Sequence, residues 1–169
     1  MRASLHGVRG TVLTAVLLGA LLGAAIAGAA GGAGVGTHNT NRGKVLANSR
    51  GFSIYMFAKD KKGGKSTCYR NCAKVWTPLL TTGKPVAIKG SGVNSKLLGT
   101  TRRTDGKTEV TNNGYPLYLY VPDGKPGQIN GEGFNQFGAA WYLLNTRGTP
   151  VKCPAGETAS SSGCLPGNY

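Results

Sequence analysis

The sequence has few acidic residues and even fewer histidines. Six Asp and Glu residues stand against 20 Lys and Arg residues, which gives a formal charge of +14 over 169 residues. The two histidines, His6 and His38, both precede the segment that we expect to fold. This scarcity argues against a histidine-based catalytic triad and against a histidine-rich metal site. No convincing nucleophile–base pair is present either, so we predict a protein without enzymatic activity, cofactor or metal.

The composition also lacks the character of a helical bundle. Glycine accounts for 28 residues and proline for 8, and helix interiors tolerate neither residue well. The length allows one ordinary domain and no more. We therefore predict a mainly β fold.

The first 30 residues have the pattern of a secretory signal peptide. Arg2 and Arg9 make the start basic, and residues 11–30 are uncharged and rich in Leu, Ala, Val and Gly. Small residues then offer Ala-x-Ala cleavage sites at 25–27 and 27–29, which predicts cleavage and an extracytoplasmic location, secreted or in the cell envelope. The alternative is an uncleaved anchor, because about 20 apolar residues can span a bilayer. Only in that case would the protein contact a membrane.

The four cysteines predict two structural disulfides, since the chain is expected to reach an oxidising compartment. Three pairings are possible, and we favour the local pairs Cys68–Cys72 and Cys153–Cys164. A four-residue separation can be bridged across one helical turn. A four-cysteine zinc site fits the spacing badly. A thiol oxidoreductase that uses Cys68 and Cys72 is a further alternative, although such enzymes carry Cys-x-x-Cys and this chain has Cys-x-x-x-Cys.

Two parts of the chain resemble each other. A constant offset of 63 residues relates two sets of motif residues, Tyr55, Phe57 and Asp60 in the first and Tyr118, Tyr120 and Asp123 in the second. Trp76 and Trp141 match at an offset of 65, so a two-residue insertion separates the two blocks of matches. The same order of matches in both copies indicates an internal duplication.

Each copy reads as a β-hairpin with an Asn/Gly turn, at 48–51 in the first and 112–114 in the second. In the strand that follows, Tyr55 and Phe57 share one face, and Ile54 and Met56 share the other, so both faces are apolar and the strand is central. Asp105-Gly106 predicts a further hairpin between 100–104 and 107–111. One or two short helical turns complete the single predicted domain. Its six core residues are Tyr55, Phe57, Trp76, Tyr118, Tyr120 and Trp141.

We divide the chain into four parts on this basis. They are a signal peptide at 1–30, a flexible Gly-rich lead-in at 31–43, a duplicated β-rich domain at 44–150, and a disulfide-closed tail at 151–169. Within the domain the repeats span about 45–85 and 109–150.

These features resemble a secreted-repeat family of bacterial envelope proteins, often lipoproteins, in which a Tyr-x-aromatic-x-x-Asp motif occurs in tandem copies. Residues 55–60 and 118–123 both fit that motif, and residues 64–79, with Cys-x3-Cys and Trp-x-Pro, are similar to the segment after the family's first motif. The resemblance covers about 44–150. It implies an extracytoplasmic location and no established biochemical activity. This chain lacks the lipid-attachment cysteine, and its tail lies outside the shared pattern.

The charge distribution suggests a ligand. The segment 42–107 contains 15 basic residues and 2 acidic ones, whereas the rest of the chain beyond it contains 3 and 4. A basic half favours an anionic envelope polymer as partner, other envelope proteins are the alternative partners, and export makes nucleic acid a poor one. The candidate anion-binding residues are Lys59, Lys61, Lys62, Lys65, Arg70, Lys74, Arg102 and Arg103. The alternative is a glycan-binding module with exposed aromatics such as Tyr69, Tyr115 or Trp141, although core packing is favoured for Trp141. Asp60 and Asp123 could be compared with the paired acids of glycosidases, but their equivalent turn positions favour a structural role.

Overall fold

The computed structural model describes Met1 and residues 31–166. The predicted signal peptide at 1–30 lies almost wholly outside this part of the chain. Within the described residues, no helix is long and apolar enough to cross a membrane.

The protein is mainly β, as the composition predicts, with 13 strands and two short helical turns among the described residues. The first half contains β1 (Gly34–Thr40), β2 (Gly43–Asn48), β3 (Tyr55–Phe57), α1 (Asn71–Val75), β4 (Trp76–Pro78) and β5 (Val86–Ala87). The second half begins with a 3-10 turn (Ser95–Leu97) and continues with β6 (Leu98–Arg102), β7 (Thr108–Asn112), β8 (Tyr115–Pro116), β9 (Tyr118–Tyr120), β10 (Asn135–Gln136) and β11 (Ala139–Leu143). The tail forms β12 (Glu157–Ser160) and β13 (Gly163–Pro166).

A five-stranded sheet at the centre joins the two copies by exchanging strands. Its order is β10-β11-β3-β9-β4, and the equivalent residues Tyr55 and Tyr118 lie opposite each other where β3 meets β9. Strand β11 of the second copy pairs with β3 of the first, with Trp141 opposite Phe57. Strand β4 of the first copy pairs with β9 of the second, with Trp76 opposite Tyr120. The two copies are therefore related by an approximate two-fold axis between the tyrosines.

Both faces of the central sheet are covered, which follows from the apolar character of both faces of β3 and β9. One face carries a mainly aromatic cluster that includes all six predicted core residues. The other carries an aliphatic cluster that includes Ile54, Met56 and Leu117. The alternation of side chains along a strand thus sends the aromatic and aliphatic residues to different layers.

A hairpin flanks the central sheet in each copy. In the second, β6 and β7 pair over five residues around the Asp105-Gly106 turn, which confirms that hairpin. In the first, β1 and β2 pair over six residues. The predicted pairing of 45–48 with the strand after the turn is short, because the chain makes one bridge between Ala47 and Ser53 before β3 enters the central sheet.

The lead-in predicted at 31–43 is wrong as a flexible segment. Residues 34–40 form strand β1, which pairs with β2 and, in parallel, with β5. Val35 is completely buried in the aliphatic cluster. A single apolar side chain and regular backbone hydrogen bonds therefore order a segment whose glycines and polar residues resemble a linker.

The tail packs against the second copy through its disulfide. Cys153 is bonded to Cys164, and Ser160 N donates a hydrogen bond to the carbonyl of Gly133 at 3.0 Å. A Cβ atom on Gly133 would lie 2.3 Å from the sulfur of Cys164, so only glycine allows this contact. The described part of the tail, residues 151–166, is thus attached to the body of the domain.

Candidate functional site

The two tyrosine–aspartate motifs bond to each other across the approximate two-fold axis. Tyr118 Oη donates to Asp60 Oδ2 at 2.5 Å, and Tyr55 Oη donates to Asp123 Oδ2 at 2.6 Å. Each motif therefore supplies a hydroxyl donor to the other copy and receives one in return. This geometry explains why tyrosine and aspartate occur together in the motif.

The second oxygen of each aspartate holds the loop that follows it. Asp60 Oδ1 accepts hydrogen bonds from Thr67 N at 2.7 Å and Thr67 Oγ1 at 2.6 Å. Asp123 Oδ1 accepts one from Asn130 N at 2.9 Å, and Asn130 follows Thr67 at the same offset of 63 residues. Both oxygens of each carboxylate are thus engaged within the fold, which accords with the predicted structural role.

Burial determines the protonation of this network. Desolvation raises the pKa of both Tyr55 and Tyr118 far above the ordinary value, and the neighbouring carboxylates raise it further. Burial also raises the pKa of Asp123. The phenols consequently remain protonated donors throughout the physiological pH range.

Four aromatic rings form a continuous stack across the axis. The centroid distance is 4.0 Å between Phe57 and Trp141, 4.0 Å between Trp141 and Trp76, and 4.2 Å between Trp76 and Tyr120. The indole N–H groups of Trp76 and Trp141 both donate to Gln136, one to its side-chain oxygen at 3.1 Å and one to its carbonyl at 3.2 Å. Both tryptophans are completely buried, so Trp141 does not form an exposed platform for a glycan.

The loop between β3 and α1, residues 58–70, is fixed to the hairpin β6–β7. Thr101 Oγ1 donates to the carbonyl of Gly64 at 3.3 Å, and Thr104 N donates to Tyr69 Oη at 3.1 Å. The disulfide Cys68–Cys72, the pairing favoured by the spacing, joins this loop to α1. Cys68 is completely buried and Cys72 is 7% exposed, which leaves this disulfide little access to solvent.

Arg103 is the centre of this docking and not part of an exposed basic patch, which corrects its assignment as a candidate anion-binding residue. It is 2% exposed, and its guanidinium donates to Glu109 Oε2 at 2.7 Å, Ser66 Oγ at 2.8 Å and the Cys68 carbonyl at 2.8 Å. It also lies over the Tyr69 ring, 4.3 Å from the centroid. Its charge is used inside the fold, because a buried cation needs a buried partner.

The other seven candidate residues are exposed, and we call the six that lie on the loop or on α1 the basic loop surface: Lys59, Lys61, Lys62, Lys65, Arg70 and Lys74. Arg102 is not part of this surface. It lies between Thr101 and Arg103, which both bond to the loop, and the side chain of the residue between them points to the opposite face. The acidic residues nearby are already engaged: Asp60 is buried, and Asp105 bonds to Arg103 at 3.3 Å.

The aromatics considered for glycan stacking are not freely exposed. Tyr69 and Tyr115 are half-buried, and Tyr69 is covered by Arg103. Among the described residues, Phe137 is the aromatic residue with the greatest exposure, 41%. It lies in the turn between β10 and β11, and the sequence analysis missed it because an isolated Phe-Gly pair has no motif around it.

Two buried acids were also missed. Glu109 is completely buried beside Arg103; burial raises the pKa of its carboxyl, and the hydrogen bond and the charge of Arg103 oppose that rise. Glu132 is 6% exposed and accepts a hydrogen bond from Leu143 N at 2.6 Å. Burial raises the pKa of Glu132 to about 8, and the backbone N–H of Leu143 and the charge of Arg42 partly offset the rise. Glutamate is mostly a surface residue, so the sequence has no signal for either position.

The fold and its motif pair define a class of protein, a duplicated β domain whose two copies complete each other. A family model for a secreted repeat of unknown function matches residues 36–80 and 99–145, which together make up more than half of the chain, so the protein belongs to that secreted-repeat family. The matched segments begin within β1 and β6, earlier than the predicted repeat starts at 45 and 109, because each copy includes the first strand of its hairpin. Searches of curated proteins and of solved structures returned no match.

Proposed function

We propose that this secreted protein is a non-enzymatic module of the cell envelope, and that it binds anionic envelope polymers through the basic loop surface. The observation that carries the proposal is the set of six exposed cations on one ordered segment, where Asp60 is buried and Asp105 bonds to Arg103. A surface of one sign attracts a polymer of the opposite sign by long-range electrostatics.

The order of the loop supports binding rather than simple solubility. The loop is held by the Asp60–Thr67 bonds, the Cys68–Cys72 disulfide and the Arg103 contacts. Anchoring the backbone before a ligand arrives lowers the entropy cost of binding.

The experiment compares two variants with the same net charge. One replaces Lys59, Lys61, Lys62 and Lys65 with glutamine, and the control replaces Lys84, Lys89, Lys96 and Lys125, which are also exposed. Retention on immobilised teichoic acid or heparin is measured over a range of salt concentrations. We expect the first variant to elute at clearly lower salt than the control, because surface charge contacts are screened by salt.

Equal elution of the two variants would show that only total charge matters and would overturn the assignment of the site. Retention of the natural protein that does not weaken with salt would overturn the electrostatic mechanism. Far-UV circular dichroism of both variants verifies that the fold is unchanged.

A further inference from the structure

Phe137 holds an unusual backbone conformation at the tip of a hairpin. Strands β10 and β11 are joined by the two residues Phe137 and Gly138, whose φ angles are 58° and 91°. Turns of this kind favour Asn, Asp or Gly at both positions, since a side chain with a bulky Cβ substituent is disfavoured at positive φ. Glycine occupies the second position, but a phenylalanine occupies the first.

The neighbouring residue attaches the hairpin to the core. Gln136 accepts hydrogen bonds from both tryptophans, while Phe137 is 41% exposed. The molecule therefore tolerates both backbone strain and an exposed aromatic surface at one residue. Strain of this kind, when it coincides with exposure, points to a function for the side chain.

The turn that carries Phe137 lies beside the basic loop surface. Ala58 N donates to the carbonyl of Ala140 at 2.9 Å, so the residue after Ala58 runs alongside the start of β11. The ammonium nitrogen of Lys59 is 3.8 Å from the position that a Cβ on Gly138 would occupy. The two-residue turn that carries Phe137 thus lies next to Lys59, the first cation of the basic loop surface.

We propose that Phe137 and Lys59 together recognise an acidic polysaccharide, with the phenyl ring packed on the apolar face of a sugar ring and the ammonium group paired with its anionic substituent. This inference rests on the proposed function and names its ligand class. A polymer of phosphate alone offers charge but no apolar face, so it would engage Lys59 without engaging Phe137. Aromatic rings supply a large rigid contact area for an apolar surface.

The test uses two polyanions that differ in this respect. Polygalacturonate has sugar rings with carboxylates, and inorganic polyphosphate has no ring. The natural protein is compared with Phe137→Asn, Phe137→Trp and Lys59→Gln, and dissociation constants are measured by biolayer interferometry at fixed salt. Asparagine accepts positive φ readily, so Phe137→Asn should fold with an unchanged or higher thermal midpoint.

We expect Phe137→Asn to weaken polygalacturonate binding by about five- to tenfold, the fold-change of one aromatic contact, and to leave polyphosphate binding unchanged. Phe137→Trp should keep polygalacturonate affinity, and Lys59→Gln should weaken both polymers. The proposal is overturned if Phe137→Asn leaves polygalacturonate binding unchanged, or if it weakens both polymers equally. Binding of polyphosphate without any binding of polygalacturonate would overturn this inference but keep the basic loop surface, whereas binding of neither would overturn the proposed function as well.

Discussion

At the scale of single residues, the fold depends on polar groups that are buried and specifically paired. The motif hydroxyls and carboxylates cross the approximate two-fold axis, and each aspartate also fixes the loop that follows it. Removing one partner leaves a buried group without a hydrogen bond, which costs more than the net contribution of the bond itself.

Removing the hydroxyl of Tyr55 tests this network. Because Asp123 Oδ2 would lose its donor, we expect Tyr55→Phe to lower the free energy of unfolding by about 1.5–3 kcal/mol, the range for hydrogen bonds to charged groups. Tyr118→Phe should cost a similar amount. The measurement is urea-induced unfolding followed by tryptophan fluorescence.

Tyr142→Phe is the matched control, since the Tyr142 hydroxyl makes no side-chain hydrogen bond to the residues that the structure describes. An equal loss of stability in all three variants would contradict the specific role of the motif hydroxyls. A double-mutant cycle of Tyr55→Phe with Asp123→Asn then measures the coupling between the two residues directly.

Glu132 predicts a dependence of stability on pH. Its pKa is about 8 in the folded protein and about 4.5 when unfolded, so the folded state binds the proton more tightly. The resulting stabilisation is complete below about pH 4.5 and is lost as pH rises through about 8. We expect the free energy of unfolding to fall by at least about 1 kcal/mol between pH 5 and 8.5 on this account.

Glu132→Gln should reduce that slope, because glutamine has no proton to release. Glu157→Gln is the control, since Glu157 pairs with the same Arg42, at 3.7 Å, but is partly exposed. The measurement is urea unfolding at several pH values. A wild-type slope that survives in Glu132→Gln would assign the pH dependence to another group, of which Glu109 is the first to examine.

At the scale of elements, the hairpin β6–β7 is attached to the loop 58–70 through one buried ion pair. Arg103 and Glu109 are 2% and 0% exposed, and the arginine also donates to the loop at Ser66 and Cys68. The hairpin β6–β7, which supports the basic loop surface, is thus connected to the loop by Arg103, whose charge is buried and cannot contact a ligand.

We expect Arg103→Met to lower the free energy of unfolding by about 3–5 kcal/mol, because it leaves Glu109 buried without its partner. The double variant Arg103→Met, Glu109→Leu should recover much of that loss, since it removes both charges. Guanidinium-induced unfolding provides the comparison. If the double variant were less stable than Arg103→Met alone, the buried carboxylate would not be the source of the cost.

The sequence predicts elements whose local pattern is decisive and misses those fixed by distant contacts. The alternation of Tyr55 and Phe57 with Ile54 and Met56 is sufficient to place β3 at the centre, and Asp105-Gly106 is sufficient for a hairpin. Strand β1 is missed because its single buried apolar residue, Val35, is ordered by partners in β2 and β5. The local pattern also cannot indicate that β3 and β9 each pair with a strand from the other copy.

The candidate site is predictable to a similar extent. Clustering of lysines along the loop marks its exposed residues, but sequence alone cannot separate Arg102, which is exposed, from Arg103, which is buried. That difference arises because the two side chains of adjacent strand residues point to opposite faces, and only one face meets the loop. The sequence also does not predict that Phe137 is exposed, because its exposure depends on the turn that it occupies.

At the scale of the whole molecule, the exchange of strands makes the two copies one folding unit. Neither copy completes the central sheet without the other, so we expect one cooperative unfolding transition. Tryptophan fluorescence reports the central sheet, and hydrogen exchange of β1–β2 and of β6–β7 reports the two hairpins separately. With the disulfides intact, these three probes should give the same unfolding free energy, whereas different values for the two hairpins would contradict the interdependence.

The reciprocal pairing also constrains how such proteins grow by gene duplication. A polypeptide with one copy can complete this sheet only by associating with a second molecule, in the manner of a homodimer. Two copies on one polypeptide make that association internal and permanent. Tandem arrays should therefore gain copies in pairs. In an array with an odd number of copies, one copy would need a second molecule to complete its sheet.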